Sequence, residues 1–584
     1  MKGFFNRLLR INLDKKSFEE ENIPDVVYEK YLGGKGLGTY LLLKHNPPGI
    51  DPFSAENRII FTVGCATDTK IWGTSRYGVF TKSPLTGIFG ESYSGGKIAS
   101  PMSRTGYDAI IIEGKSAEPI YIEISERKVV FHSAQALWGK GTYETEDEVL
   151  RRTEVKDAGA LVIGPAGENL VKFALIENDY WRSAGRTGMG AVLGSKKVKA
   201  IVFHGKKRRN VAHPDLIDNF YRKLLATSKT DPGTASYKNY GTPMVVAFTN
   251  TTGSFPTQYW HSGVLEGWEE VSAESLIKNC KAKPKACPHC FMACGKLSEV
   301  QGGKYKGLKI EGPEYETIYA FGGLCMVKSL EEIIYLNDLC DNLGIDTITA
   351  GNLVAFTIEA SKRGVITEKL SYGDVDGIAE LLKKMVYREG IGNILAEGIR
   401  YASRKWGLEE IAIHVKGLEP AGYDPRILKG MALAYATSDR GACHLRSTFY
   451  APELKGIIDP DQVTGKAELF VDYEERIALH DALILCRFYR DIVGWEELGK
   501  IIQGTTGMAL DKKGLKEKAA NIIDATRKFN LQEGITRKDD TIPNRFFEEG
   551  IGPEKKTISR EELEKMLKDY YNLRGWDENG VPKS

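Results

Sequence analysis

The sequence lacks an excess of charge of either sign, because its 584 residues carry 80 basic and 78 acidic side chains and a formal net charge of +2. Proteins that bind nucleic acid by neutralising phosphates concentrate lysine and arginine, so we expect no nucleic-acid partner. A long apolar run is also missing. The longest uncharged run, 239–265, is interrupted by Pro243, Asn250, Gly253 and Pro256, and we expect no membrane-spanning helix.

The N-terminal segment MKGFFNRLLRINLDKK lacks the apolar core and the small-residue cleavage site of a signal peptide. Nine cysteines, an odd number, fit a reducing compartment with free or metal-bound thiols better than a disulfide framework. We therefore expect a cytoplasmic protein. Proline is scarce relative to glycine, 22 residues against 62, and this favours many sharp turns and close backbone approaches.

Short β-branched runs bounded by glycine, proline or polar clusters dominate the first 208 residues and predict strands. They lie at 58–67, 108–114, 119–124, 128–133, 160–164 and 199–205. From about residue 215 the apolar residues recur at helical spacing instead. The predicted helices lie at 216–227, 329–344, 350–364, 375–390, 474–490 and 514–530.

This change of pattern predicts an α+β multidomain protein. We expect a β-rich N-terminal domain at 1–208, a helical domain with a cysteine-rich loop at 209–415, and a C-terminal helical domain at 416–584. No internal repeat of 20–50 residues is visible.

The strongest local motif is the C-x2-C-x3-C spacing of Cys287, Cys290 and Cys294. Thiolates so close together suit an iron–sulfur cluster or a zinc ion, and either centre needs a fourth ligand. Cys486 is a distant candidate for that ligand, and Cys280 is a competing candidate that is nearer in sequence.

Glycine-rich segments at 33–38, 92–97 and 181–197 form a second signal. The first has a G-x-G spacing but no clean strand before it, so it is a weak dinucleotide fingerprint. In the third, Arg182 and Arg186 flank small residues ahead of a helix, an arrangement that binds phosphate through N–H groups and guanidinium forks. Tight turns between strands are the alternative interpretation.

Clustered carboxylates occur in IEGPEYET (310–317) and CDNLGIDT (340–347). Such groups act as general bases or bind heterocycle amino groups, although helix caps and solvated loops are their commoner use. His444, in DRGACHLRS, is a candidate proton donor or acceptor. The sequence has no G-x-S-x-G elbow, P-loop or H-E-x-x-H helix. Taken alone, these residues indicate a cytosolic iron–sulfur oxidoreductase with an unknown organic cofactor.

At this point the chain resembles the aldehyde ferredoxin oxidoreductase family, tungsten enzymes with a bis-pterin cofactor. The resemblance runs nearly end to end, through YLGGKGLGTYLL, SRYGVFTKSPLTG, GYDAIIIEGK, IGPAGENLVKFA, AGRTGMGAVLGSK, CPHCFMAC, EGPEYE, CDNLGIDT, GYDPR, RGACH and YYNLRGW. It implies a β-sheet base that carries the cofactor, covered by two helical domains.

The resemblance also implies roles for individual residues. Cys287, Cys290, Cys294 and Cys486 correspond to the ligands of one 4Fe–4S cluster. The implied pterin-binding set is Arg76, Tyr93, Gly95, Arg182, Ser183, Gly185, Arg186, Asp341, Ile345, Asp346, Arg446, Asp481 and Arg487. A magnesium ion bridging the pterin phosphates would bind the backbone carbonyls of Tyr93 and Ser183.

The chain departs from the family pattern at several positions. Tyr93 replaces an asparagine, Arg446 a lysine, and Ile484 a glycine whose loss is expected to change the local turn. Tyr335 and Asp338 stand where the family has the E-x-x-H pair of a subunit-bridging iron, so we predict no such iron. A homodimer is left open.

Glu316 and His444 resemble the two residues that lie near the tungsten in this family. The implied activity is oxidation of a small aldehyde to a carboxylic acid, with electrons passing through the cluster to ferredoxin or a ferredoxin-like subunit. Two alternatives are a tungsten subunit that reduces an aromatic thioester inside a larger complex, and a cofactor-free structural or electron-transfer subunit.

Overall fold

The structure, a computed structural model, describes residues 1–583. Its N-terminal part is built on two six-stranded sheets. The first sheet has the strand order β2-β1-β6-β3-β4-β5, in which only β1 and β6 run parallel. Its strands are Arg7–Asn12 (β1), Ser17–Asn22 (β2), Ile59–Thr62 (β3), Tyr77–Lys82 (β4), Phe89–Ser94 (β5) and Ala109–Glu113 (β6).

The second sheet has the order β11-β10-β9-β12-β7-β8, and only β7 and β12 run parallel. Its strands are Ile120–Ile124 (β7), Val129–Ser133 (β8), Gly159–Val162 (β9), Ile176–Asn178 (β10), Arg182–Ala184 (β11) and Val198–Phe203 (β12). The helices between these strands are Asp25–Tyr31 (α1), Gly34–His45 (α2), Ala99–Arg104 (α3), Thr142–Thr153 (α4), Pro165–Glu168 (α5) and Met189–Ser195 (α6).

The residues after Phe203 are mainly helical. One small antiparallel sheet, Lys283–Lys285 (β13), Gly295–Glu299 (β14) and Lys309–Glu311 (β15), holds the cysteine-rich loop between its first two strands. Ten helices precede residue 416: Pro214–Ser228 (α7), Pro232–Tyr240 (α8), Val245–Thr251 (α9), Ala273–Asn279 (α10), Tyr315–Thr317 (α11), Leu330–Leu343 (α12), Thr347–Lys362 (α13), Val375–Tyr387 (α14), Gly392–Leu395 (α15) and Ile399–Trp406 (α16).

Seven helices follow: Lys429–Thr437 (α17), Tyr450–Leu454 (α18), Lys466–Leu483 (α19), Trp495–Thr506 (α20), Lys512–Gln532 (α21), Asn544–Glu548 (α22) and Arg560–Arg574 (α23). The predicted α+β organisation, a sheet base followed by mainly helical parts, is confirmed. The boundaries at 208 and 415 stay predictions. Within residues 1–583 no helix combines the length and apolarity needed to cross a membrane.

The first sheet buries both of its faces, because side chains alternate along each strand. Phe61 and Val79 belong to a buried cluster shared with Ile122 of the second sheet, which joins the two sheets. Ile60 and Phe80 belong to the cluster that continues into the helical parts. The sheet base is therefore held between a second sheet and the helices.

The turn after α19 corrects the prediction of one helix over 474–490. The helix ends at Leu483, and Ile484 adopts the left-handed conformation with φ 55° and ψ 42°. A β-branched residue is strained there, and glycine is the usual occupant. The turn therefore forms with isoleucine in the left-handed position, and the buried Ile484 side chain packs in the core.

Two glycines of the base allow this turn to approach closely. A Cβ added at Gly64 would lie 2.1 Å from the carbonyl oxygen of Leu483, and one added at Gly34 would lie 2.3 Å from that of Asp481. Backbone cannot move aside as a flexible side chain can. These contacts fix the position of the chain just before Cys486.

We predict that Gly64→Ala destabilises the protein by about 1–3 kcal/mol, the usual cost of overpacking, and lowers the iron content by displacing the segment that carries Cys486. Thermal unfolding and iron analysis check both effects. Gly499→Ala is the matched control, because its added Cβ would meet nothing closer than 3.5 Å. Equal unfolding temperatures and iron contents for the two variants would contradict the assigned role of the contact.

Candidate active site

A cavity of about 500 Å³ lies between the sheet base and the helical parts. Its lining combines the segment 73–76 before β4, strands β5 and β11 of the base, the cysteine-rich loop, α11, the end of α12 with the start of α13, and the segments 440–455 and 486–490. All of the predicted site residues line this cavity except Asp481. Residues far apart in sequence thus meet around one space large enough for an organic cofactor.

The four predicted cluster ligands meet at one end of the cavity. The backbone N–H of Cys486 donates to the Gly73 carbonyl at 2.9 Å, and the Gly73 N–H donates to the His289 carbonyl at 3.1 Å. Gly73 thereby ties Cys486 to the loop of Cys287, Cys290 and Cys294. All four thiols are half-buried.

Burial and the neighbouring thiol of Cys486 raise the pKa of Cys290 to about 11. Burial also raises the pKa of Cys294. These two cysteines therefore need a bound metal centre to stay ionised as thiolates. No three metal-ligating side chains within residues 1–583 are close enough to hold a single ion.

The competing ligand, Cys280, does not reach this space. It is fully buried at the end of α10, packs in the hydrophobic core and is absent from the cavity lining. The placement favours Cys486 as the fourth ligand.

Arg76 lies between the cluster end and the rest of the cavity. Its Nη2 donates to the Tyr93 carbonyl at 3.4 Å. A Cβ added at Gly95 would lie 3.1 Å from Cys287 Sγ and 3.8 Å from Arg76 Nη1. The bare backbone of Gly95 thus brings the guanidinium and the thiol close together.

Arg446 and Arg487 form a cationic wall over the ring of Tyr93. Their guanidinium carbons lie 5.4 and 4.8 Å from the ring centroid, within the range of cation–π attraction. The Tyr93 hydroxyl donates to Glu91 Oε2 at 2.6 Å. Tyrosine in place of the family's asparagine therefore supports this wall.

Asp481 lies behind the wall rather than in it. Its Oδ2 accepts from Arg446 Nη1 at 3.0 Å, and its Oδ1 accepts from Arg487 Nη2 at 2.5 Å. Its direct contact with the cofactor stays a prediction. The carboxylate positions two arginines.

Glu91 and Lys35 are site residues that sequence reasoning missed. Glu91 accepts from Arg446 and from Lys35 Nζ, the latter at 2.9 Å, and Lys35 also donates to Asp439 at 2.5 Å. Although burial opposes it, Arg446 and Lys35 lower the pKa of Glu91. Two sequence features could have pointed to them: Glu91 is an acidic residue within strand β5, and Lys35 is a lysine within the glycine-rich segment GGKGLG. That segment starts α2 and supplies a buried cation to this network.

The predicted phosphate segment places its two arginines differently. Arg182 pairs with Glu311 at the cluster end, and Ser183 Oγ donates to Glu177 at 2.9 Å. Arg186 is already bonded within the protein, to Asp346 at 3.0 Å and to the Glu419 carbonyl at 2.9 Å. It therefore joins the base to the helical parts at the cavity wall.

Asp341, Ile345 and Asp346 border the cavity in the connection between α12 and α13. Asp346 caps α13 by accepting from the Ile348 N–H at 3.0 Å. Asp341 accepts from Asn337 Nδ2 at 2.7 Å, and burial raises its pKa. Asp341 therefore has the carboxylate with fewer internal partners.

Glu316 and His444 meet at the wall of the same cavity. Glu316 Oε1 lies 3.4 Å from His444 Nε2, while Oε2 accepts from the Gly422 N–H at 3.0 Å. Helix α11 continues directly into a π-helical segment, Ile318–Leu324, a form common at functional sites. Buried Glu316 Oε1 and His444 Nδ1 have no hydrogen-bond partner. Orphaned polar atoms beside a cavity fit a site that is completed by a ligand.

Burial sets the protonation states of this pair. It raises the pKa of Glu316 to about 8, against the opposing effects of the Gly422 N–H and Arg186. Burial also lowers the pKa of His444, and the nearby Arg186 and Arg440 add to the effect. At neutral pH the pair therefore holds a carboxylic acid beside a neutral imidazole.

Tyr335 and Asp338 make other contacts. Tyr335 stacks on Tyr305 with ring centroids 4.4 Å apart, and Asp338 accepts from the Tyr143 hydroxyl at 3.0 Å. These contacts account for both side chains without a metal ion. The predicted absence of a bridging iron stays a prediction.

We predict that Cys486→Ser abolishes a stable cluster, because a serine hydroxyl is a poor ligand for iron, while Cys280→Ser retains it. Iron and acid-labile sulfide per chain, measured on anaerobically purified protein, check this. Cluster retention by Cys486→Ser together with its loss in Cys280→Ser would reverse the assignment.

The comparisons with known proteins agree with this geometry. A family profile described as aldehyde ferredoxin oxidoreductase, N-terminal domain, matches residues 8–205. A second, described as aldehyde ferredoxin oxidoreductase, domains 2 & 3, matches residues 219–584. The tungsten-containing aldehyde ferredoxin oxidoreductase of Pyrococcus furiosus is 35% identical over 599 residues, covering 100% of this chain and 98% of the relative.

The enzyme of the same name from Thermococcus kodakarensis is 36% identical over 600 residues, with 100% and 98% coverage. The aliphatic sulfonate oxidoreductase, WOR-like subunit, of Pyrococcus furiosus is 29% identical over 631 residues, with 100% and 96% coverage. A solved chain of the active site complex BamBC of benzoyl coenzyme A reductase, in complex with 1,5-dienoyl-CoA, has a TM-score of 0.86 and 25% identity, with 100% and 96% coverage. By these whole-chain matches, the chain belongs to the aldehyde ferredoxin oxidoreductase family and is an oxidoreductase of that family.

Proposed function

We propose that the protein oxidises an aldehyde to a carboxylic acid and passes the two electrons through a 4Fe–4S cluster to a ferredoxin. The observation that carries this proposal is the buried Glu316–His444 pair in the cavity that also holds the four thiols. A proton-transferring pair and an electron outlet in one space are what a coupled oxidation requires. The 35–36% identity to aldehyde-oxidising relatives supports the same chemistry.

The cavity fits a tungsten bis-pterin cofactor. Asp341 and Asp346 would accept from pterin N–H groups, and Arg446 and Arg487 would face its polar edges. Arg182, Ser183, Gly185 and the backbone of Tyr93 would surround its phosphates and a bridging magnesium. When bound, this group supplies the acceptor for two electrons. Arg76, beside Cys287, stands between it and the cluster.

The protein's own residues manage the protons. Oxidation of an aldehyde by water releases two protons and two electrons along with the acid. Glu316 in its carboxylate form takes the proton from the attacking water. A neutral His444 donates a hydrogen bond to the carbonyl oxygen from whichever ring nitrogen carries hydrogen. The buried wall of Tyr423 and Tyr450 limits the access of other water.

The electron outlet lies where the cluster loop approaches the surface. His289, between Cys287 and Cys290, is exposed, and the cluster thiols are half-buried. Arg76 provides a positive charge beside the path. We propose that a ferredoxin or a ferredoxin-like subunit accepts electrons at this loop.

Reduction of an aromatic thioester in a larger complex is the second candidate. The shared fold with the benzoyl coenzyme A reductase chain favours it, at 25% identity and a TM-score of 0.86. Identity to the aldehyde-oxidising relatives is higher over an equally complete alignment. Aldehyde oxidation is therefore the better-supported proposal.

We predict that Glu316→Gln lowers kcat/KM for aldehydes about 10²–10⁴-fold, the usual contribution of a general base, with unchanged tungsten content. In the wild type, kcat/KM should rise with pH up to about 8, because the carboxylate form of Glu316 accumulates only as the pH approaches its raised pKa. Steady-state assays with a viologen acceptor and metal analysis check both results.

Glu474→Gln is the control. Glu474 is also buried with its pKa raised to about 7, and it bonds Tyr570 and Arg574 outside the cavity. This variant should keep the wild-type activity and pH profile. Near-normal turnover in Glu316→Gln would remove Glu316 from the mechanism.

A further inference from the structure

The end of the cavity beyond Glu316 and His444 is apolar and aromatic. Tyr450 stacks on Tyr423 with ring centroids 4.0 Å apart, and Tyr423 lies 5.7 Å from the His444 ring. Further lining side chains are Tyr237, Met244, Val245, Phe248, Ala451, Leu454 and Phe488. Phe248 is 57% exposed and marks the opening to solvent. The body of a substrate that reaches Glu316 therefore lies against apolar surface.

Two charged side chains, Arg490 and Lys455, interrupt this apolar lining, and Lys455 pairs with Asp491. Arg490 is 5% exposed and follows the turn that carries Cys486. Its Nη1 donates to the Arg487 carbonyl at 3.1 Å, whereas its buried Nε has no hydrogen-bond partner. Arg487 and Arg446 on the cofactor wall, in contrast, both pair with Asp481.

No carboxylate within residues 1–583 forms an ion pair with Arg490. The adjacent Asp491 pairs with Lys455 instead, at 2.8 Å, on the exposed rim of the cavity. Burial is the largest influence on the pKa of Arg490 and lowers it, but the phenols of Tyr237 and Tyr450 and the carboxylate of Asp491 together outweigh burial and raise the pKa. Its guanidinium carbon lies 5.9 Å from the Tyr450 ring centroid. Aromatic rings attract a cation but do not neutralise it.

Burial disfavours a guanidinium that has no carboxylate at ion-pair distance. Here the phenols and the more distant carboxylate of Asp491 offset that cost. Every other lining arginine named above either bonds a carboxylate or lies at the cluster and cofactor end. Arg490 instead borders the apolar end, where no cofactor group is assigned. The missing partner is therefore most simply supplied by the substrate.

We propose that Arg490 forms an anion-binding subsite, and that the substrate is an aldehyde with an apolar body and a carboxylate at its far end. A planar guanidinium matches the two oxygens of a carboxylate. The aldehyde end then reaches Glu316 and His444 while Tyr450 packs against the body. This inference rests on the proposed function, because it names the substrate class of the same site.

The test compares two aldehydes of similar shape, 4-carboxybenzaldehyde and 4-methylbenzaldehyde, with the holoenzyme and a viologen acceptor. We expect the wild type to show at least a 10-fold higher kcat/KM for the carboxylated aldehyde. Arg490→Gln should reduce that ratio to about one, mainly through KM. Arg400→Gln, an arginine of α16 outside the cavity, should leave the ratio unchanged.

A binding measurement keeps the proposal testable if turnover is lost. Calorimetric titration with terephthalate and with 4-methylbenzoate should show tighter binding of the dicarboxylate, and Arg490→Gln should abolish the difference. The iron content of Arg490→Gln shows whether the substitution disturbs the turn that carries Cys486. The variant Arg490→Lys keeps the positive charge, so it separates the effect of losing the charge from that disturbance. Equal affinity of the wild type for both acids, or the same preference in Arg490→Gln, overturns the subsite. Wild-type inactivity towards both aldehydes, with the dicarboxylate preference retained, would instead remove only the proposed oxidation.

Discussion

The cavity depends on one buried network of charges, in which Asp481 holds Arg446 and Arg487 while Glu91 holds Arg446 and Lys35. These residues come from α2, strand β5, the segment after α17, and the end of α19 with the turn that follows it. Burial makes each ion costly alone, so the members keep one another in place. Because the network orients the arginines towards the cavity, the cofactor wall exists only when all four segments are assembled.

Backbone contacts provide the second constraint. Gly34 and Gly64 let the base approach the end of α19 more closely than any residue with a Cβ allows. In the same turn Ile484 adopts a strained left-handed conformation, and its buried side chain packs in the core. The strain is tolerable because the turn places Asp481 before it in the charge network and Cys486 after it at the cluster end. One six-residue segment, 481–486, therefore contributes both to the charge network and to the predicted cluster site.

The sequence predicted what local pattern determines. The β-branched runs became strands, and the CPHCFMAC spacing brought three thiols into one loop. Cys486 was identified through family resemblance, because nothing local reveals that its turn meets Gly73. The positions of Glu91 and Asp481 relative to the cavity could not be predicted from the sequence, because whether a carboxylate lines a cavity or lies behind its arginines depends on contacts between distant segments. Likewise, the predicted helix over 474–490 failed because a backbone turn at Ile484 overrides side-chain periodicity.

The ionisable side chains around the cavity differ in whether their buried atoms have hydrogen-bond or ion-pair partners within the protein. Most arginines of its wall are balanced by carboxylates, which suits a permanent scaffold. Glu316 Oε1, His444 Nδ1 and Arg490 Nε are buried without a hydrogen bond, and all three belong to side chains at the substrate end. Arg446 on the cofactor wall likewise leaves Nε and Nη2 without a hydrogen bond. Atoms without partners therefore occur at both ends of the cavity, as expected where a cofactor and a substrate are both proposed to bind. Burial holds a proton on Glu316, and it also separates the Arg490 guanidinium from solvent, so the acid–base pair and the proposed anion subsite both depend on the exclusion of water from this end of the cavity.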